Sequence, residues 1–272
     1  MRETKTKAVR QMPNAAWAWE GLRRNDDYKR LWHRAKGALS APRALPSGAQ
    51  LYRERRFHSS LLEFGLLAPA DPKKSDLETT VFWRPDLFGS IVRVQLTPFK
   101  EARRTLRETG VKPILLSRFK GRRAMLDTLS GERHVVINGG GFWFQLRADA
   151  QPEDDECCIG LNLPNLDLRY YADRLRSGLD LIKLYEADDA EKRDERLVTP
   201  ETPLGRALMA YDVTRAGGSL KDVAAALYGG GLVAEDWHAE SRYLKDRARR
   251  ARSKGEAFVG GEYKALLSPA PA

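Results

Sequence analysis

The 272-residue sequence is poor in the groups on which most site chemistry depends, with only two cysteines and four histidines. Cys157 and Cys158 are adjacent. Successive side chains of a strand point to opposite faces, so this pair cannot build a disulfide framework, and a reducing compartment fits. His33, His58, His134 and His238 show no metal-ligand spacing with one another or with the cysteines, and two adjacent thiols are badly placed for one tetrahedral zinc. No run of about 18 apolar residues occurs, and no apolar segment follows the basic N-terminus, which argues against a membrane span and against secretion.

Nucleotide-binding and hydrolase fingerprints are lacking as well. Gly139-Gly140-Gly141 has the look of a phosphate cradle, but Phe142-Trp143-Phe144 follows as strand, where such a cradle needs a helix N-terminus. A flexible hairpin turn fits better, and a hydrolase using the Gly139 loop is the weakest alternative. The acidic pairs Asp154-Asp155 and Asp188-Asp189 fall in polar stretches, where solvated charge is the default. Nothing assembles a nucleophile, a base and oxyanion donors. The expectation is a cytoplasmic protein that is not an enzyme, with no cofactor and no metal.

Positive charge is what the chain has in excess: 47 Lys and Arg against 37 Asp and Glu, a formal net charge of +10. Residues 1–60 carry 14 basic and 5 acidic side chains, whereas 151–203 carry 7 and 14, and 237–272 carry 8 and 4. Two basic ends thus flank an acidic stretch. Clustered cations attract polyanions and release their counterions. For the N-terminal end alone, with Arg23, Arg24, Arg53, Arg55 and Arg56 as a secondary basic region, solvated helix faces explain the charge equally well.

The hydropathy pattern predicts an α+β protein: a small helical N-terminal domain, a β-rich middle, and a helical C-terminal domain resembling a helix-turn-helix. The boundaries expected are 1–88, 89–186, a charge-dense linker over 187–203, and 204–267. Asn14 and Asp26 are the expected N-caps of a helical hairpin whose Trp17, Trp19, Tyr28, Leu31 and Trp32 face inward. Residues 40–50 read as a loop and 57–64 as a helix stopped at Gly65. Strands are expected over 81–83, 90–96, 134–137, 142–146 and 157–163, with helices over 99–109 and 167–186.

The C-terminal stretch is the most specific. Leu204, Ala207, Leu208 and Tyr211 form one helical stripe that stops at Gly217-Gly218. Ser219 and Asp222 match a capping box, and Leu220, Val223, Ala224 and Leu227 repeat the stripe before Tyr228-Gly229-Gly230-Gly231 breaks it. A basic helix follows over 241–254, with Leu244, Ala248 and Ala251 on its apolar side. Arg242, Lys245, Arg249 and Arg252 form one flanking stripe, and Arg247, Arg250 and Lys254 the other. Two short amphipathic helices and a cationic one describe a DNA-binding unit whose cations meet phosphates or base edges. The alternative is a surface helix with Arg chosen for propensity and solubility. About a dozen residues separate Leu227 from Ser241, where an ordinary turn has roughly 3–4. Leu232, Val233 and Trp237 fit a further short helix there. Either it or the basic helix occupies the recognition position.

The strings SLKDVAAALYG and VAEDWHAESRYLKDRARRARSKGEAFVGGEYKALL resemble the variant helix-turn-helix domain in regulators of proteobacterial integrative and conjugative elements. WAWEGLRRNDDYKRLW, FGLLAPADPKKS and VFWRP are similar to the regulator-like domain that precedes it there. Together the likeness spans roughly residues 14–88 and 120–267, and the order of domains resembles the frameshifted excision activators. The resemblance implies an activator of excision and transfer genes under quorum-sensing control, with promoter DNA, RNA polymerase and a small antiactivator protein as partners. It places Val223, Ala224, Leu227, Trp237, Leu244 and Tyr263 in the domain core, and Arg242, Arg247, Arg249 and Arg250 on an exposed helix. An interaction module that reads no DNA, using the Trp17, Trp19 and Trp32 hairpin or the basic helix as its surface, is the alternative from a different class.

Overall fold

Seven strands form one mixed sheet in a computed structural model that describes residues 12–89, 91–110, 113–139, 142–149, 151–152, 156–161, 201–237 and 242–268. They are β1 (Arg43–Ala44), β2 (Gln50–Arg53), β3 (Ile91–Pro98), β4 (Arg122–Asp127), β5 (Arg133–Gly139), β6 (Phe142–Ala148) and β7 (Cys157–Leu161). The order across the sheet is β1-β2-β4-β5-β6-β3-β7, with β2/β4 and β3/β6 parallel and the other pairs antiparallel. Eight helices among the described residues complete an α+β fold. They are α1 (Asn14–Leu22), α2 (Asp26–Ala35), α3 (Ser60–Glu63), α4 (Phe99–Thr109), α5 (Pro203–Arg215), α6 (Leu220–Tyr228), α7 (Gly230–Asp236) and α8 (Tyr243–Gly260).

Both faces of the sheet's central strands are buried, and their apolar residues divide between two cores. Val135 and Ile137 of β5 face one core with Met125, Leu146 and Phe119, while Val136 faces the other with Ala124, Leu126 and Trp143. That second core also holds Trp17, Trp19, Leu22 and Tyr28 from the N-terminal hairpin, and Phe258, Val259 and Tyr263 from the C-terminal end. Three stretches of sequence therefore share one interior. A third, smaller core lies within the C-terminal helices, around Val223, Ala224, Leu227, Val233, Leu244 and Ala248.

Tyr263 is buried as the resemblance implies, but it joins the large core and donates its hydroxyl to the Phe64 carbonyl at 3.1 Å. Trp17 and Trp19 are 8% and 0% exposed, so neither supplies an interaction surface; Trp32 is half-buried. The Trp19 indole donates to the Lys74 carbonyl at 3.0 Å, and the Tyr28 hydroxyl donates to the Ala70 carbonyl at 2.6 Å. These bonds tie the hairpin to the irregular segment that follows it.

Several local features differ from the sequence expectation, each for a physical reason. The N-cap positions are Pro13 and Asn25, one residue before those expected. Asn25 takes the role because its Oδ1 accepts from Tyr28 N at 3.0 Å while its Nδ2 donates to Val259 O at 2.9 Å, a bond only the folded chain offers. Within the stretch read as a loop, β1 pairs with β2. The helix expected over 57–64 shrinks to α3, because Arg55 N donates to Ala38 O and Glu54 N to Asp127 O, both at 2.8 Å, which holds the preceding chain in the sheet. Val81-Phe82-Trp83 forms a single bridge, Leu66↔Trp83. The Gln145 side chain occupies the Trp83 backbone instead, accepting from its N–H at 2.9 Å and donating to its carbonyl at 2.7 Å.

The expected strands over 90–96 and 134–146 appear as β3 and the β5–β6 hairpin, and α4 ends at Gly110, whose φ of +67° closes it in the left-handed region. The helix expected over 167–186 and most of the linker over 187–203 lie outside the described residues. No helix among the described residues is long and apolar enough to cross a membrane.

Candidate nucleic-acid interface

The C-terminal unit is built from well-terminated short helices. Thr202 Oγ1 accepts from Gly205 N at 3.0 Å, and Pro203 begins α5, where its missing N–H costs nothing. Ser219 and Asp222 form the reciprocal capping box of α6: Ser219 Oγ accepts from Asp222 N at 3.3 Å, and Asp222 Oδ2 accepts from Ser219 N at 2.8 Å. The Ser219 donors hold the Asp222 carboxyl below its usual range. Gly229, at φ +91°, then turns the chain directly into α7.

The longer α8 crosses α5 where Gly255 meets Ala207; a Cβ at Gly255 would stand 2.2 Å from the Ala207 carbonyl oxygen. Leu244 and Ala248 are buried against α6 and α7, as the stripe predicts, and Ala251 and Trp237 are half-buried beside them.

The cations divide unequally around α8. In the Arg242, Lys245, Arg249 and Arg252 stripe, Arg249 pairs with Asp246 at 3.0 Å and Arg252 Nε lies 3.7 Å from Glu256. The Lys245 ammonium sits 5.5 Å from the centroid of the Trp237 ring, and Arg242 is exposed.

The other stripe, Arg247, Arg250 and Lys254, converges with Arg206 of α5 on a cavity of about 190 Å³ whose remaining lining is Pro203, Tyr228 and Ala251. Among the described residues the lining holds four cations and no carboxylate. Arg247 lies between two rings, its guanidinium carbon 5.2 Å from the Tyr228 centroid and 5.1 Å from that of Tyr243, and it donates to the Tyr243 hydroxyl at 2.5 Å. A ring holds a guanidinium in place without neutralising it.

α7 follows α6 in the order of a second helix, but it carries Glu235 and Asp236 and neither Lys nor Arg. Cationic character belongs to α8. Sequence reasoning missed Arg206, Tyr228 and Tyr243 as members of this site. The available signal was Arg206 on the polar side of the Leu204–Tyr211 stripe, which needs the α5–α8 crossing to acquire a meaning.

The secondary basic region is arranged differently. Glu20, only 2% exposed, is reached by Arg23 Nε at 2.7 Å and by Arg24 Nη1 at 2.6 Å. Arg24 also forks onto Asp212 of α5 through Nε at 2.8 Å and Nη2 at 2.9 Å. These two arginines therefore serve the contact between α1 and α5. Arg53, Arg55 and Arg56 are exposed at the other end of the sheet. There a groove of about 670 Å³ mixes signs, with Arg43, Arg53 and Arg133 beside Glu54 and Asp127. Arg133 forks Asp127 at 2.6 and 2.9 Å inside it. His134 is fully buried against Glu132, and among the described residues no group of three His, Cys, Asp or Glu is placed to hold a metal ion.

A compact helical unit with a capped α6 and a cation-lined α8 defines a nucleic-acid-binding class of domain. Comparison with known families agrees. Residues 168–268 match the family described as "T6SS, Transcription factor, DNA binding domain", and residues 2–52 match the "Proteobacterial transcriptional regulator-like domain". The two matches support a DNA-binding transcription regulator. The first reaches upstream of the expected 204 boundary, and the second covers less than the expected 1–88. No curated protein matches the chain.

Proposed function

We propose that this regulator binds promoter DNA through the cationic side of α8 and activates excision or conjugative-transfer genes of an integrative and conjugative element. The observation that carries the DNA contact is the convergence of Arg206, Arg247, Arg250 and Lys254 on one small cavity beside α8. The resemblance of the two domains, in their order, to excision activators supports the choice of target. RNA polymerase is the partner an activator needs beside DNA, and Leu232 and Tyr243 of the C-terminal helices, 45% and 60% exposed, are large apolar side chains it could contact. A small antiactivator that binds the same end would block it. The protein acts in the cytoplasm, on the nucleoid, without a catalytic step of its own.

The DNA-binding family carries T6SS in its description, so a secretion-gene promoter is the second candidate target. Footprinting of the full chain on DNA upstream of the excision genes tests the proposal. Protection of a discrete stretch there, lost as salt rises, is the expected result. Protection confined to secretion-gene promoters would transfer the function to the second target, and a salt-insensitive or absent footprint would remove the DNA contact.

A further inference from the structure

We propose that α8 is the helix that reads sequence, with its outward edge facing base edges in the major groove, and that Arg249, steadied by Asp246, reads a guanine there and sets specificity. The proposal rests on the DNA-binding reading and says which residues of that surface meet the bases.

Burial sets the orientation of the helix. Leu244, Ala248, Gly255, Phe258 and Val259 are its buried positions. At about 100° per residue, the line pointing directly away from them runs through Arg242 at the N-cap, Asp246, Arg249 and Ser253. Lys245 and Arg252 flank that line on one side, and Arg247, Arg250 and Lys254 flank it on the other. Phe258 and Val259 hold the C-terminal end of α8 in the large core. The stretch from 242 to 254, about 18 Å long, is what remains to meet a partner.

Side-chain chemistry follows the same division. A helix lying in the roughly 12 Å major groove meets base edges along its outer line and a phosphate strand on each side. Both flanks present cations, which suits phosphates. The central line mixes arginine with a carboxylate and a hydroxyl. A carboxylate opposes a contact made to phosphates alone. Before base edges it has a use, since aspartate accepts from cytosine, serine serves as donor or acceptor, and arginine takes guanine with two parallel bonds. The rival for this position, α7, opens with Gly230-Gly231, spans 7 residues and ends in Glu235 and Asp236.

Geometry singles out Arg249. Its Nη1 donates to Asp246 Oδ1 at 3.0 Å, and the two side chains are 62% and 42% exposed. An exposed pair of this kind adds little to stability. Its consequence lies in aim: the bond engages one of the five N–H donors of the guanidinium and restrains the fork. Less side-chain freedom is then lost when the fork closes on the O6 and N7 of a guanine.

The test uses the full chain and the labelled duplex protected in the footprint, whichever promoter supplies it. Anisotropy is followed for that duplex, for versions with each G·C pair in turn changed to A·T, and for a scrambled duplex. The forms compared are the wild type, Arg249→Lys, Asp246→Asn and Arg250→Gln, with thermal melts to check equal folding. One G·C change is expected to cost the wild type about tenfold and Arg249→Lys less than about twofold. Affinity of Arg249→Lys for the scrambled duplex is expected to stay within about threefold of wild type, because the charge is kept. Asp246→Asn is expected to shrink the same G·C preference by about threefold, whereas Arg250→Gln lowers all duplexes alike. A preference that survives in Arg249→Lys, one that Arg250→Gln abolishes, or a wild type that binds protected and scrambled duplexes equally overturns the reading role while leaving DNA binding intact. An undiminished preference in Asp246→Asn overturns the steadying role. A wild-type chain that binds no duplex overturns the DNA reading itself.

Discussion

The two basic ends of this chain carry charge of the same sign and put it to different use. The N-terminal end has the larger excess, yet Arg23 and Arg24 are drawn onto the buried Glu20, and Arg24 extends to Asp212 of α5. In the C-terminal end the residues at i, i+3 and i+7 of α8, Arg247, Arg250 and Lys254, meet Arg206 around one small cavity. A count of charges treats these regions as alike. Local pairing separates Arg23 and Arg24 from the α8 cations, because a guanidinium held by a buried carboxylate contributes to folding, whereas cations gathered around a surface cavity attract an anion.

The largest effect that sharpens this contrast is expected at Arg24. Arg24→Ala leaves Glu20 buried with Arg23 alone and strips Asp212 of its partner. A loss of about 2–3 kcal/mol in urea unfolding is expected, with DNA affinity of the folded protein unchanged. Weakened DNA binding at full stability would place Arg24 in the interface and break the comparison.

A similar effect belongs to the body of the sheet. Burial pushes the His134 imidazole down to about 4, against the partial support of Glu132. The folded state therefore binds this proton later than the unfolded chain does, so the contribution is complete above about pH 6.5. It falls as pH drops from about 6.5 towards 4, by up to about 3 kcal/mol. Denaturant midpoints of wild type and His134→Gln, followed from neutral pH to about pH 4, check this. The wild type is expected to lose more stability than the variant over that window, and parallel curves would contradict the burial argument.

Much of this division was legible in the sequence, and the part that was not depended on tertiary contacts. The capping box at Ser219 and Asp222, the left-handed Gly110 and the β5–β6 hairpin are set by residues adjacent in the chain, and local pattern found them. The cationic stripes of α8 were legible for the same reason. The fate of each stripe was not, because Arg206 lies some forty residues before the helix and enters only through the Gly255–Ala207 crossing. Arg24 looked like a candidate DNA contact since its partner Asp212 is 188 residues away. The 81–83 segment reads as strand by composition, but the amide of Gln145 takes its hydrogen bonds.

The most direct measurement sets the two basic regions against each other in one assay: affinity of the full chain for a labelled upstream duplex after neutralising three cations in each. Arg53→Gln/Arg55→Gln/Arg56→Gln is expected to stay within about threefold of wild type, and Arg247→Gln/Arg250→Gln/Lys254→Gln to fall by more than about tenfold. The opposite order, with the N-terminal variant losing its DNA and the α8 variant keeping it, would contradict the account.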